Sequence, residues 1–206
     1  GEGQTLLDGN GADRILHTLA NADLTLIDLT LQNGVSEREG GALYASNHVT
    51  FTAVTLDSNL TLDDGAFGGA AFVLGNVHSS RSTFQNNITL GNLAAGGALY
   101  GLGDLTIDGS TFQGTFRDNI TAGDDANGGA VLIRGRAQIT ATQFLANQTL
   151  GVDANGGALY LSSNSPDNSQ VVNTLFANNQ SNTHGAVLYV QGLDPASTLA
   201  LRHNTI

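Results

Sequence analysis

Gly68-Gly69-Ala70-Ala71-Phe72, followed in the same frame by Thr83-Phe84-Gln85-Asn86-Asn87-Ile88-Thr89, decides the fold, because both halves recur in phase along the chain. The first half, Gly-Gly-Ala and two apolar residues, begins at Gly40, Gly68, Gly96, Gly128 and Gly156. A variant, His184-Gly185-Ala186-Val187-Leu188, closes the series, and the steps are 28, 28, 32, 28 and 28 residues. The second half, Phe-x-x-Asn, occurs as Phe84 to Asn87, Phe116 to Asn119, Phe144 to Asn147 and Phe176 to Asn179, with Leu56 to Asn59 as a Leu version. From each of Asn59, Asn87, Asn119 and Asn147 the next Gly-Gly lies nine residues on. Two four-residue insertions lengthen the other arm of the repeat. One lies near 109–115, where Ser-Thr-Phe-Gln-Gly-Thr-Phe-Arg reads as a small duplication; the other is at 162–168, with Pro166. Insertions of this kind are the loops on one side of a solenoid.

The unit is β rather than helical. Val49-Thr50-Phe51-Thr52, Leu105-Thr106-Ile107-Asp108 and Gln138-Ile139-Thr140-Ala141 alternate with period two, are rich in β-branched residues, and are bounded by Gly, Asn and Asp. No segment keeps a helical apolar period over eleven or more residues. The fold class expected is all-β: a right-handed parallel β-helix of about 28 residues and three short strands per coil, in roughly seven to eight coils, about 35 Å long at ~4.8 Å per rung. The whole of 1–206 reads as one domain, with N-terminal coils in 1–39 and the repeat coils in 40–206. It is expected to be a fragment of a longer protein, since 198–206 starts a further coil.

Stacking turns the repeated positions into columns. Phe84, Phe116, Phe144 and Phe176, headed by Leu56, form a core column. Ala42, Ala70, Ala98, Ala130, Ala158 and Ala186 form a column of methyls. Tyr44, Phe72, Tyr100, Leu132, Tyr160 and Leu188 form a larger one, and Leu43, Ala71, Leu99, Val131, Leu159 and Val187 a third. Neighbouring residues of a strand face opposite ways, so all three cannot enter one lumen unless the strand bends. The expectation is that the Ala and aromatic columns point inward.

Composition narrows the function classes. The 206 residues include 27 Gly, no Cys and no Met, and the seven basic residues are all Arg. Disulfides and thiolate chemistry are excluded. A formal net charge of −11 opposes nucleic acid as a partner. No apolar run reaches the ~18 residues of a membrane span, so direct membrane insertion is not expected.

The paired motif, Gly-Gly-Ala-aliphatic with Phe-x-x-Asn, resembles the repeats of the chlamydial polymorphic outer-membrane proteins and of anchored bacterial surface proteins with a right-handed β-helix. The stretch Thr5-Leu6-Leu7-Asp8-Gly9-Asn10-Gly11, then Leu24 onward, looks like the usual lead-in to such domains. The resemblance implies fold over almost the whole chain; for function it implies only a range, since such β-helices serve as adhesins, passenger rods and polysaccharide-active enzymes.

Four sets of candidate residues follow. Asn59, Asn87, Asn119, Asn147 and Asn179 form either an amide ladder at a turn or, with Thr61, Thr89, Thr121, Thr149 and Ser181 two positions on, five glycosylation sequons. The Thr row is read as a hydroxyl ladder, and ice binding would need a flat outward pair of such rows. Asp64, Asn92 and Asp124 align in one column and Asp125 and Asp153 in the next, with Asp63 and Asp118 nearby. Stacked carboxylates repel, and calcium would relieve this, so Asp64, Asp124, Asp125 and Asp153 are the candidate metal ligands; solvated turn carboxylates are the plainer reading. No other cofactor is implied. For catalysis, a lyase needs a base beside a cation and a glycosidase needs converging carboxylates. Lys is absent, the Arg are scattered, and the five His share no column; Asp124, Asp125 and Arg134 are the residues to test.

These readings favour a non-enzymatic structural or adhesive rod, extracellular or on a bacterial cell surface, with cell-surface molecules, glycans or copies of itself end to end as partners. A self-assembling filament subunit and a polysaccharide-active enzyme are the alternatives.

Overall fold

The computed structural model describes residues 5–109, 114–162, 168–192 and 197–206. Its strands are all paired in parallel, and after the first strand, which pairs with the fourth, every fourth strand falls in the same sheet. The chain is a parallel β-solenoid of about seven turns: three sheets have seven strands and the fourth has six. Hydrogen-bonded rungs are separated by 24 to 27 residues at the N-terminal end, by 28 or 32 through the repeat coils, and by 29 or 30 at the last rungs of two of the sheets. Each full coil carries four strands, not three. Taking the coil from Gly40, sheet I holds Leu43–Ala45, sheet II Val49–Thr52, sheet III Thr55–Asp57 and sheet IV the two-residue Leu60–Thr61. The fourth escaped the period-two reading because two residues cannot display an alternation.

Corners are turned by single residues in left-handed conformation. Between sheets II and III these are Asp28, Ala53, Arg81, Ala141 and Asn173; between sheets III and IV they are Asn33, Ser58, Asn86, Asp118, Ala146 and Asn178. The residue before each repeat Asn thus takes the positive φ, not the Asn itself. The ladder runs on through the bends, since the Ala53 and Ser58 N–H groups still donate to Ser80 and Gln85 one coil on. At the entry to sheet I, the first Gly of each pair has φ near +70° (Gly40 69°, Gly128 71°). The second Gly answers a different need: a Cβ on Gly69 would lie 2.2 Å from the Gly97 carbonyl oxygen, so successive coils touch backbone to backbone there.

The core fills the lumen as columns. Leu31, Leu56, Phe84, Phe116 and Phe144 stack fully buried inside sheet III. The Phe84–Phe116, Phe116–Phe144 and Phe144–Phe176 rings lie 4.6 to 5.1 Å apart and within 10° of parallel. Size varies by compensation: Gly101 shares a column with Val73 and Ile133, and Ile133 Cδ1 lies 2.7 Å from where a Gly101 Cβ would be. In sheet I the Ala column and the Leu column both enter the core, because the Ala70 carbonyl accepts from the N–H of both Ala42 and Leu43, which bends the strand. The aromatic column is therefore outside, contrary to the inward expectation, and packs as a separate cluster. At the last rung the register shifts by one: Tyr189, not Leu188, lies on Tyr160, and Leu188 lies on Leu159.

The two insertions sit at different corners rather than on one side. The first leaves sheet II after Leu105–Asp108 and rejoins at Gly114–Arg117 of sheet III; of its duplicated motif, Phe116 takes the core position, and 110–113 lie outside the described residues. The second lies between sheets I and II, after Leu159–Ser162; residues 163–167, with Pro166, lie outside the described residues.

Candidate functional site

Most buried polar positions inside the solenoid are bonded to one another or to the backbone. The Asn87 Oδ1 accepts from both the backbone N–H (3.0 Å) and the Nδ2 (2.9 Å) of Asn59, while Asn87 Nδ2 donates to the Leu56 carbonyl (3.0 Å) and to Asn119 Oδ1 (3.0 Å). The pattern continues through Asn119, Asn147 and Asn179. Asn59, Asn87, Asn119 and Asn147 are fully buried, with both amide hydrogens donated. These side chains are unavailable to a glycan in the folded chain, which removes the sequon reading. The Thr row faces inward too. Most of its hydroxyls bond within their own coil: Thr61, Thr121 and Thr149 donate to the carbonyls of Ala66, Ala126 and Ala154, five residues on, pinning the turn into the Gly-Gly pair, while Ser181 at the end of the row bonds back to the Ala154 carbonyl one coil away. Thr89 Oγ1 is buried without a partner. A buried row presents no hydroxyls to ice.

The outer face of sheet III is also self-bonded. Asp57 accepts from Gln85 Nε2 (2.7 Å) and Asn86 Nδ2 (2.9 Å), and Gln85 Oε1 accepts from Arg117 Nε (2.9 Å). Burial pushes the Asp57 carboxyl up, but hydrogen bonds from Asn86, Gln85 and Ser58, with the Arg117 charge, outweigh it and hold the group below its ordinary value. Asp8, at the first rung, is lowered by the same kind of contact, from Gln32, the Asn10 backbone and Asn33.

The acidic turn residues stack as the spacing implies, but as a backbone device. Asp64 Oδ1 accepts the Asn92 N–H (2.8 Å), Asn92 Oδ1 accepts the Asp124 N–H (2.9 Å), and Asp124 Oδ1 accepts the Val152 N–H (2.8 Å). Asp125 and Asp153 follow in the next column at positive φ, after Gly65 and Leu93. Asn92 separates Asp64 from Asp124 in the first column, Asp125 and Asp153 are adjacent in the second, and among the described residues no three His, Cys, Asp or Glu side chains group as a metal site.

Sheet I carries an outward aromatic column, in which Phe72, Tyr100 and Tyr160 are themselves buried and Tyr44 is half-buried. Alternation sends Leu43 and Ala45 in and Tyr44 out, and each coil repeats the choice. Tyr44, Phe72 and Tyr100 stack at 5.4 Å with 18° to 26° between planes, and Tyr160 stacks on Tyr189 at 5.2 Å. Phe67, from the preceding turn, lies on Tyr100 at 4.5 Å. Between Tyr100 and Tyr160 the column holds Leu132. There the surface opens into a cleft of about 280 Å³. Its floor is Tyr100, Leu132 and Tyr160. One wall carries Leu93, Asp125 and Asn127; the other carries Arg134, Ser162 and Gln191.

Two arginines lie over tyrosines of this column, and they are used differently. Arg14 sits 5.6 Å from the Tyr44 ring centre, and its donors are taken by the Gly40 and Glu39 carbonyls and Ser36 Oγ. Arg134 sits 5.9 Å from the Tyr100 ring centre. No carboxylate among the described residues pairs with it; the ion pair found nearby is Arg136 with Asp104, at 3.5 Å. Burial pushes the Tyr100 hydroxyl up, with the Arg134 charge and a hydrogen bond from Arg134 pulling back, and burial likewise raises Tyr160. The Tyr160 hydroxyl donates to Gln191 Oε1.

Of the three residues singled out for catalysis, Asp125 and Arg134 share this cleft, on opposite walls, and Asp124 does not line it. Leu132 and Phe67 were not recognised as site residues in the sequence. The available signal was an aliphatic break between two tyrosines of an aromatic column, two residues before an Arg. No family model, curated protein or solved structure matches the chain, so the site stands on its geometry.

Proposed function

We propose that the chain is a non-enzymatic structural and adhesive rod from a bacterial cell-surface or secreted protein. The observation that carries this reading is the continuity of the inner columns: the Asn ladder runs unbroken from Asn59 to Asn179 and the Phe stack from Phe84 to Phe176. Columns of that kind make each coil the template for the next and resist bending. Outward polar groups on sheet III bond to one another and serve as covering, which leaves the sheet I cleft as the surface for adhesion. The likeness of the repeats to those of chlamydial outer-membrane and other surface β-helix proteins supports the extracellular placement.

An enzymatic reading has one observation in its favour, the shared cleft of Asp125 and Arg134. A glycosidase needs two carboxylates converging on the scissile bond, and Asp125 is the carboxylate lining this cleft. The test joins shape with turnover. Small-angle scattering should return an elongated particle, and a reducing-sugar and unsaturated-product screen on a polysaccharide panel should stay at background. Turnover that disappears in Asp125→Asn would replace the rod reading with an enzyme.

A further inference from the structure

We propose that the cleft over Leu132 binds one neutral pyranose unit of a glycan, and so names the ligand class for the adhesive reading on which it rests. Shape is the first argument. Tyr100 and Tyr160 are two rungs apart, about 9.6 Å at ~4.8 Å per rung, and Leu132 between them is too short to reach as far out as either ring. The resulting volume, about 280 Å³, lies at the lower edge of small-molecule pockets. It has room for one sugar ring rather than several.

The chemistry of the walls is the second. Asp125 offers acceptors and Arg134 donors to the cleft, with Gln191 beside them; Asn127 also lines it, but its amide is engaged with the Asp125 carbonyl and with Asn155. Because Gln191 Oε1 accepts from the Tyr160 hydroxyl, its amide hydrogens remain for a ligand. Vicinal hydroxyls, each both donor and acceptor, match such planar side chains. The C–H face of a pyranose matches the apolar floor of Leu132 and tyrosine edges. Arg14 serves as the internal control. Its side chain over Tyr44 is consumed by two carbonyls and a serine and acts as a staple, whereas Arg134 over Tyr100 is held by the Tyr100 hydroxyl and ring, with no carboxylate among the described residues pairing with it.

Charge decides between sugar classes. A chain of net charge −11 repels a polyanion, and Asp125 on the cleft wall would face any carboxylate drawn to Arg134. Neutral hexoses avoid both penalties.

Isothermal titration with oligomers of glucose, mannose and galactose, and with oligogalacturonate as the acidic arm, tests this. At least one neutral oligomer should bind saturably while oligogalacturonate does not. Leu132→Tyr, which restores the residue found at four other rungs and keeps the coil's packing, should weaken that binding about tenfold or more; Arg134→Gln should weaken it as well. Binding of oligogalacturonate alone, no binding by any oligomer, or full binding by a folded Leu132→Tyr variant would overturn the assignment. Cleavage of a bound oligomer would instead overturn the rod reading and leave the sugar site standing.

Discussion

Two aromatic columns run along the solenoid, one inside sheet III and one outside sheet I, and they are built to different tolerances. The inner Phe rings are nearly parallel, 6° to 10° apart, and every repeat rung from Phe84 to Phe176 is filled. The outer rings tilt by 18° to 26° and skip a rung at Leu132. Inside, a missing ring leaves a void that neighbouring backbones, held rung to rung, cannot close. Outside, a missing ring leaves a cleft that water or a ligand fills. The same repeat thus enforces identity where it faces the lumen and tolerates variation where it faces solvent.

Removing an inner ring is the severest way to break this comparison. Phe116→Ala deletes the partner of both Phe84 and Phe144 and opens a cavity at a fully buried site, with an expected loss of about 3–5 kcal/mol. Tyr44→Ala, at the half-buried end of the outer column, should lose less than half as much. Thermal melts of both variants, followed by circular dichroism, would compare them; equal losses would mean that the columns do the same job.

Asn119→Ala should come next. It removes the acceptor for the Asn87 N–H and Nδ2 and the donor to the Phe84 carbonyl, all buried. Leaving such groups unpaired costs about 1–3 kcal/mol each, and partial relaxation should bring the total to about 2–4 kcal/mol. Hydrogen exchange should show the loss concentrated in the coils on either side of the variant. Filling the outer gap has the opposite sign: Leu132→Tyr should change stability by no more than about 1 kcal/mol, in the stabilising direction if the new ring stacks on Tyr100.

This asymmetry also explains what the sequence made legible. Gly-Gly-Ala and Phe-x-x-Asn repeat because they serve the lumen and the rung contacts, where every coil has the same neighbours. Solenoid architecture, coil length and the Phe and Asn columns could therefore be read directly. The facing of the Gly-Gly-Ala strand could not, because two adjacent N–H groups share the Ala70 carbonyl and the alternation slips by one. The fourth strand, only two residues long, left no pattern. The cleft was harder still: it exists through a departure from the repeat, Leu132, and through Arg134, and neither is periodic. Asp124 and Asp125 looked equivalent in the sequence, but one bonds the next coil's backbone and the other lines the cleft.

A smaller effect tests whether the outer polar ladder of sheet III is covering, as distinct from the load held by the inner columns. Asp57 has a folded-state pKa below its ordinary value of 3.8, because its hydrogen bonds to Gln85, Asn86 and Ser58, aided by Arg117, outweigh its burial. A depressed carboxylate contributes stability that is fully present above the ordinary value and is lost as pH falls through the folded value. The wild-type melting temperature should therefore begin to drop as pH approaches 3.8 and go on dropping below it, with Asp57 supplying part of the drop. Asp57→Asn should lower stability slightly at pH 7 and flatten the acid limb. Because the group is only partly buried, the contribution should not exceed about 1 kcal/mol, well below either inner variant. An acid limb unchanged in Asp57→Asn would show that the acid sensitivity arises elsewhere, with Asp8 and its Gln32 and Asn33 contacts as the next pair to vary.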